Sequence, residues 1–302
     1  MENLNIVLLG KTGHGKSATG NTISRKNCFY VSNNATSYTK MVERNKSPID
    51  NYQVQVFDTP GPFDTEYVNG SGATADIAKT CPLMESMIAA ATKDGGVHAF
   101  FLVFALGAKL SQEEMTTIET LEAIFGNNVF SEFGVLVFTR GDNLEEDFST
   151  WCAKQEGKVK ELMAKFRDRV VATTNKGEFS GRRLEASKGM IVAAEALKNK
   201  KKVYTLENYK RSEKSRNYLL VTSKKKDLTD DFQKKMKNLE EEIKKKKKLN
   251  SHEADLFFRK INELRGEIKN ASNGTDVLDD VYGQVDKLQI LAESKMSSCS
   301  IL

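Results

Sequence analysis

The chain has little of several residue types on which particular protein classes depend. Its 302 residues include only four cysteines, none in a CxxC pair, which excludes a disulfide framework and a zinc-finger spacing. The longest near-unbroken apolar run, from Ala99 to Leu106, is far shorter than the ~20 residues that a membrane-spanning helix needs. The N-terminal segment also lacks the basic region and cleavage site of a secretory signal. We therefore expect a cytoplasmic protein with free thiols.

Charge is distributed unevenly along the chain. The net charge is +5, yet residues 201–302 hold 23 Lys and Arg against 17 Asp and Glu, whereas residues 1–200 hold 23 against 24. This asymmetry indicates two parts, which we place at 1–205 and at 206–302, the second being a basic helical extension. Because the basicity is confined to one third of the chain, we expect no nucleic-acid partner.

Short apolar runs recur along the first domain and predict buried parallel strands. They lie at 5–10, 54–57, 98–106, 134–139 and 170–174. The segments between them have apolar residues at helical spacing, and this alternation predicts an α/β fold with a doubly wound, mainly parallel sheet. In 206–302 the apolar spacings of three and four predict amphipathic helices. These helices either pack on the first domain or on each other, or they form an intermolecular coiled coil.

Residues 10–17, GKTGHGKS, match the phosphate-binding pattern GxxxxGK[ST] directly after the first predicted strand. In such a P-loop the backbone amides and the N-terminus of the next helix bind phosphate. Lys16 would contact the β- and γ-phosphates, and Ser17 would ligate Mg²⁺. The predicted nucleotide contacts of this loop are Gly10, Thr12, Gly13, His14, Gly15, Lys16, Ser17 and Ala18.

A second loop, DTPG, follows the next strongly apolar strand. Asp58 at the end of that strand can hold Mg²⁺ or its water, and the amide of Gly61 can reach the γ-phosphate. This loop lies about 40 residues after Lys16, so the order of the strands places the predicted metal ligand beside the predicted phosphate site.

A third loop, TRGD, is predicted to select the base. The carboxylate of Asp142 can accept from both N1–H and N2–H₂ of guanine, a donor pair that adenine lacks, so an ATPase is disfavoured. Thr139 and Arg140 would buttress this loop and cover the base. Asn175, after the next apolar run, either contacts the base from the other side or is an ordinary turn residue.

Four segments resemble the AIG1-type, or immunity-associated, GTPases of the septin-like and Toc-like branch: GKTGHGKSATGN (10–21), DTPGPFDTE (58–66), the marker stretch 97–126, and VFTRGDNLEED (137–147). The resemblance covers roughly residues 3–200. It implies a P-loop GTPase domain with a helical extension, binding of GTP or GDP with Mg²⁺, and GTP-dependent homodimers or homo-oligomers, often at membranes. It also implies that Thr39 ligates Mg²⁺ and the γ-phosphate, with Thr36 as the alternative.

Hydrolysis is the least regular part of the pattern. Many GTPases orient the attacking water with a glutamine after the DxxG glycine, but this chain has Pro62 there. The resemblance implies dimers that meet across the nucleotide face, with a basic residue acting in trans, and Lys109 lies near that position. Two functions stay open, a GTPase that is slow until it dimerises and a GTP-gated assembly scaffold with negligible turnover. The catalytic candidates are Lys16, Thr39, Gly61, His14 and Lys109. His14 either places water or, when protonated, stabilises phosphate charge, or it is an exposed loop residue with no catalytic role.

Membrane association is expected from two features of the extension. The residues CSIL at 299–302 match the C-a-a-X pattern, which makes Cys299 a candidate for prenylation. The lysine run at 244–248 is either a solvated helix face or a patch attracted to anionic lipid. Together they predict a peripheral location on a cytosolic membrane face. His98, at the start of an apolar strand, is interpreted as structural or interface-forming rather than as a catalytic base.

Overall fold

The computed structural model describes residues 1–31, 41–60, 77–108 and 110–296. Thr36, Thr39, Gly61, Pro62, Lys109 and Cys299 lie outside the described residues. Within the described ranges, none of the helices is long and apolar enough to cross a membrane.

The first part of the chain is built on a six-stranded sheet. Its strands are β1 (Glu2–Leu9), β2 (Glu43–Ile49), β3 (Tyr52–Asp58), β4 (Ala99–Ala105), β5 (Gly134–Thr139) and β6 (Val170–Ala172). They are ordered β2-β3-β1-β4-β5-β6, and each neighbouring pair is parallel except β2 with β3. The predicted doubly wound, mainly parallel sheet is confirmed.

Helices cover both faces of this sheet in the order that the alternating pattern predicts. They are α1 (Lys16–Ser24), α2 (Ile77–Lys93), α3 (Gln112–Phe125), α4 (Val129–Phe133), α5 (Phe148–Ala153), α6 (Gly157–Lys165), α7 (Gly181–Lys198) and α8 (Leu206–Arg211). Strand β4, with the sequence AFFLVFA, is buried along its whole length, as expected for a central parallel strand.

The boundary between the two parts lies later than predicted. The chain divides into a unit Met1–Glu213 and a unit Lys214–Leu302, rather than at 205 and 206. The difference arises from helix α8, whose Tyr209 is buried and donates its hydroxyl proton to the carbonyl oxygen of Cys81 at 2.9 Å. This short helix therefore belongs to the core of the first unit, although its sequence is as polar as that of the extension.

The second unit is helical, as predicted. Its helices are α9 (Glu213–Lys244), α10 (Ser251–Ser272) and α11 (Asp279–Lys295). Their apolar stripes form one buried cluster that includes Phe232, Ile261 and Leu288. Of the packings left open by the sequence, the described residues show stripes that pack on each other within one chain.

Two lysines of the 244–248 run are paired with nearby carboxylates. Lys244 contacts Glu240 at 2.5 Å, and Lys246 contacts Glu253 at 2.7 Å. Exposed pairs of this kind contribute little to stability, but they reduce the charge that the run presents to a surface. Attraction of this run to anionic lipid stays a prediction.

His98 is structural, in agreement with its interpretation from the sequence. It is buried between β1 and β4, where its ring Nδ1 accepts a hydrogen bond from the backbone N–H of Asn5 at 3.0 Å. The backbone N–H of His98 donates to the carbonyl of Asn5 at 2.9 Å. Burial, together with a smaller effect of the nearby Lys198, lowers the pKa of His98 to about 4. The imidazole is therefore neutral at pH 7 and accepts a proton only as the fold weakens.

The lowered pKa of the buried His98 predicts that the protein loses stability in mild acid. An unfolded histidine has a pKa near 6.5, so between about pH 6.5 and pH 4 the unfolded chain binds the proton that folded His98 refuses. Stability from His98 is complete above pH 6.5 and is lost as the pH falls towards 4. In His98→Asn an amide oxygen can accept from Asn5 without titrating. From pH 7.5 to pH 5.0 the parent should lose about 1–2 kcal/mol more than this variant in urea unfolding. Equal losses in the two proteins would contradict the assignment.

Candidate functional site

The loops that the sequence singles out meet at one edge of the sheet. Strands β1, β3, β5 and β6 all run in the same direction, so their carboxyl ends lie together. The β1–β3 register pairs Leu8 with Asp58, which brings the second loop beside the first. In open α/β sheets this edge is where ligands bind.

The P-loop has the backbone geometry that its glycines predict. Gly10 has φ +135°, and a Cβ there would collide with the carbonyl oxygen of Val103 in β4. Gly13 and Gly15 also have positive φ, +80° and +93°. Thr139 at the end of β5 donates its hydroxyl proton to the carbonyl of His14 at 2.8 Å. Contacts with β4 and β5 therefore hold the loop in a curved backbone conformation of the kind that binds phosphate.

The ammonium of Lys16 lies against the backbone of this loop. Lys16 is buried, and its ammonium donates to the carbonyl of Lys11 at 3.2 Å. Thr12 and Ala18 are half-buried, and Gly13 is exposed. A buried ammonium against this backbone provides a cation for an anionic ligand.

The predicted metal ligands are in contact with each other. The hydroxyl of Ser17, in the first turn of α1, donates to Oδ2 of Asp58 at 2.6 Å. Asp58 is fully buried at the end of β3. A hydroxyl and a carboxylate oxygen at this distance are the hard donors that Mg²⁺ prefers, so the residues present fit that ion.

The predicted base-recognition loop follows β5 directly. Arg140 is exposed in the left-handed region with φ +62°, and Gly141 donates its N–H to the carbonyl of Thr173 at 3.0 Å. This pairing turns Asp142 back towards the end of β6. Lys176 lies 2.7 Å from Oδ2 of Asp142, and its ammonium lowers the pKa of that carboxyl, which is therefore ionised at neutral pH.

Asn175 makes contacts that the sequence did not predict. Its Oδ1 accepts the hydroxyl proton of Thr22 at 2.8 Å, and its Nδ2 donates to Oγ1 of Thr19 at 3.0 Å. Both threonines are buried in α1. A Cβ on Gly15 would lie 3.6 Å from Nδ2 of Asn175, so the residue also borders the P-loop. The amide is held by α1, and its contact with a base stays a prediction.

His14 is half-buried rather than exposed. Its ring packs edge-on against Phe104 with the ring centroids 4.9 Å apart. Burial is the main cause that lowers the pKa of His14 to about 4; Glu114 opposes this shift, and Lys16 and Lys11 add to it. In this state the imidazole is neutral at pH 7, so it can hydrogen-bond there but does not supply the positive charge expected of a protonated ring.

Three contributors to the site carry no motif. Thr22 in α1 and Arg183 in α7 contact the loop that follows β6, and Lys176 within that loop contacts Asp142. Lys176 directly follows Asn175, so its position alone could have drawn attention to it. The other two approach from helices distant in sequence, and no local pattern marks them.

Comparison with known proteins gives a family. The family model described as the AIG1 family matches residues 4–226. Immune-associated nucleotide-binding protein 7 of Arabidopsis thaliana is 33% identical over 213 residues, which cover 68% of this chain and 65% of that protein. GTPase IMAP family member 8 of Mus musculus is 31% identical over 199 residues, which cover 65% of this chain and 28% of that protein.

Among solved structures, Toc33 from Arabidopsis thaliana in complex with GDP and Mg²⁺ is similar with a TM-score of 0.48 and 18% identity. The similarity covers 64% of this chain and 85% of that chain. The family of this chain is therefore assigned from the family model alone. Because that match extends over residues 4–226 of 302, the chain belongs to the AIG1 family.

Proposed function

We propose that the protein is a Mg²⁺-dependent switch that binds and hydrolyses GTP. The observation that carries the proposal is the meeting of three strand-end groups at one sheet edge: the open P-loop, the Ser17–Asp58 pair at 2.6 Å and the ionised Asp142. The words "nucleotide-binding" and "GTPase" in the names of its relatives support the same reading.

The phosphates would be bound by the P-loop. Its backbone amides and the N-terminus of α1 would donate to phosphate oxygens, and Lys16 would exchange its contact with Lys11 for the β- and γ-phosphates. Ser17 and Asp58 would hold Mg²⁺, which neutralises charge on the phosphate oxygens when bound. Their mutual hydrogen bond keeps both oxygens in place until then.

The base would be read by Asp142. Two carboxylate oxygens can accept from N1–H and N2–H₂ of guanine together, and adenine has no such pair. Lys176 and Thr174 contact the same carboxylate, at 2.7 Å and 3.3 Å, and hold it at the end of β5. This chemistry favours guanine over adenine.

For hydrolysis, the proposal is a reaction that becomes efficient in a GTP-bound dimer. Pro62 has no polar group with which to orient a water, so a group from a second copy would have to complete the site. Lys109 is the sequence-based candidate for that group. A GTP-gated scaffold with negligible turnover is the alternative, and Pro62 is the observation that favours it.

The base assignment predicts a change of nucleotide preference in Asp142→Asn. An amide donor opposite the 2-amino group should weaken GDP binding by about 10–100-fold and favour xanthosine diphosphate, whose base carries an acceptor carbonyl in place of that amino group. Trp151, the single tryptophan, stacks on Phe148 beside this loop and gives a fluorescence readout. The exposed neighbour Glu145→Gln is the matched control and should bind like the parent. A retained preference for GDP in Asp142→Asn would move base recognition elsewhere.

The two functional alternatives predict different concentration dependence. Single-turnover GTP hydrolysis, followed as released phosphate, should accelerate per molecule as protein concentration rises if a second copy completes the site. Lys109→Ala should remove this acceleration, whereas Lys93→Ala, an exposed lysine at the end of α2, should not. Absence of phosphate release at every concentration would favour the scaffold instead.

A further inference from the structure

Arg183 in α7 is a buried cation whose described partners are all uncharged. It is 8% exposed, its Nε donates to Oγ1 of Thr22 at 3.0 Å, and its Nη1 donates to the carbonyl of Gly177 at 2.8 Å. Its guanidinium also lies over the ring of Phe179, 3.9 Å from the centroid. No carboxylate in the described ranges lies within ion-pair distance of it. Burying such a charge is costly, so its hydrogen bonds must serve the fold or the site.

The contact with Thr22 joins Arg183 to a neighbouring amide. A guanidinium only donates, so Oγ1 of Thr22 accepts from Arg183 and keeps one proton to donate. Two acceptors lie within reach of that proton, Oδ1 of Asn175 at 2.8 Å and the carbonyl of Ala18 at 3.0 Å. With Oδ1 of Asn175 facing Thr22, Nδ2 of the same amide donates to Thr19 at 3.0 Å. Loss of Arg183 would remove the group that holds the Thr22 hydroxyl beside Asn175 and so weaken this attachment.

Asn175 lies between the two residues that hold the base-reading carboxylate. Thr174 and Lys176 both contact Asp142. At the other end of this loop, Arg183 binds the carbonyl of Gly177 directly. The loop at 174–177 is therefore hydrogen-bonded to α1 through Asn175 and to α7 through Gly177. Among the described residues, the guanidinium of Arg183 takes part in both attachments.

We propose that Arg183 is a positioning residue for guanine selectivity, which acts through Thr22 and Asn175 on the loop that holds Asp142. The inference rests on the proposed guanine-nucleotide function. It assigns the guanidinium to recognition of the base, since none of its described contacts is with the P-loop.

The test compares GDP with inosine diphosphate, which has the same phosphates but lacks the 2-amino group. In Arg183→Met the ratio of the two affinities should fall by about tenfold, because Asp142 is no longer held for the 2-amino donor. Arg183→Lys keeps the charge but loses the fork, so it should also lower the ratio. Arg211→Met, the same change at an exposed arginine of α8, should leave the ratio unchanged.

A second pair of variants tests the same connection without altering charge. Thr22→Val removes the hydroxyl that joins Arg183 to Asn175 and should lower the ratio, whereas Thr22→Ser keeps the hydroxyl and should preserve it. These variants decide the matter if Arg183→Met does not fold. A lower melting temperature with equal loss of both affinities would overturn the inference and leave the proposed function intact. A parent protein that binds neither nucleotide would overturn the proposed function itself.

Discussion

Strand β1 ends against β4 at Gly10, where the backbone lies so close to the Val103 carbonyl that any side chain would collide with it. This close approach fixes where the P-loop starts, and the hydroxyl of Thr139 fixes its middle through the carbonyl of His14. The shape of the loop is therefore set by two neighbouring strands of the sheet. Asp58 and Asp142 lie at the same edge of the sheet because β3 and β5 are both parallel to the two strands between them, β1 and β4.

Burial gives the ionisable groups around this edge different charges. The pKa of His14 falls to about 4 through desolvation, so the ring is neutral, whereas Asp142 stays ionised beside Lys176. The positive charge offered to an anionic ligand thus comes from Lys16, from backbone amides and from the N-terminus of α1.

Local patterns in the sequence were enough to predict the parts of the site that follow strands. The glycines of the P-loop, Asp58 and Asp142 each stand directly after an apolar run, so strand direction alone brings them together. Strand β2 was not predicted, because its sequence ERNKSPI is polar and contains Pro48, as edge strands often do.

Contacts between distant helices could not be predicted in the same way. Asn175 was predicted either to contact the base or to be an ordinary turn residue, and neither alternative included the binding of its amide by α1, more than 150 positions earlier in the chain. Arg183 is one of several basic residues near the start of α7, and only the packing of α7 on α1 distinguishes it. The late domain boundary has a similar cause, because Tyr209 is buried through tertiary contact and not through helical periodicity.

The central claim is that this sheet edge is a guanine-nucleotide site completed by Mg²⁺, and equilibrium binding of GDP and ADP tests it most directly. Both ligands carry the same phosphates, so the P-loop treats them alike and only Asp142 separates them. We predict that GDP binds about 10–100-fold more tightly than ADP and that chelation of Mg²⁺ weakens its binding. Equal affinities for the two nucleotides would contradict the account.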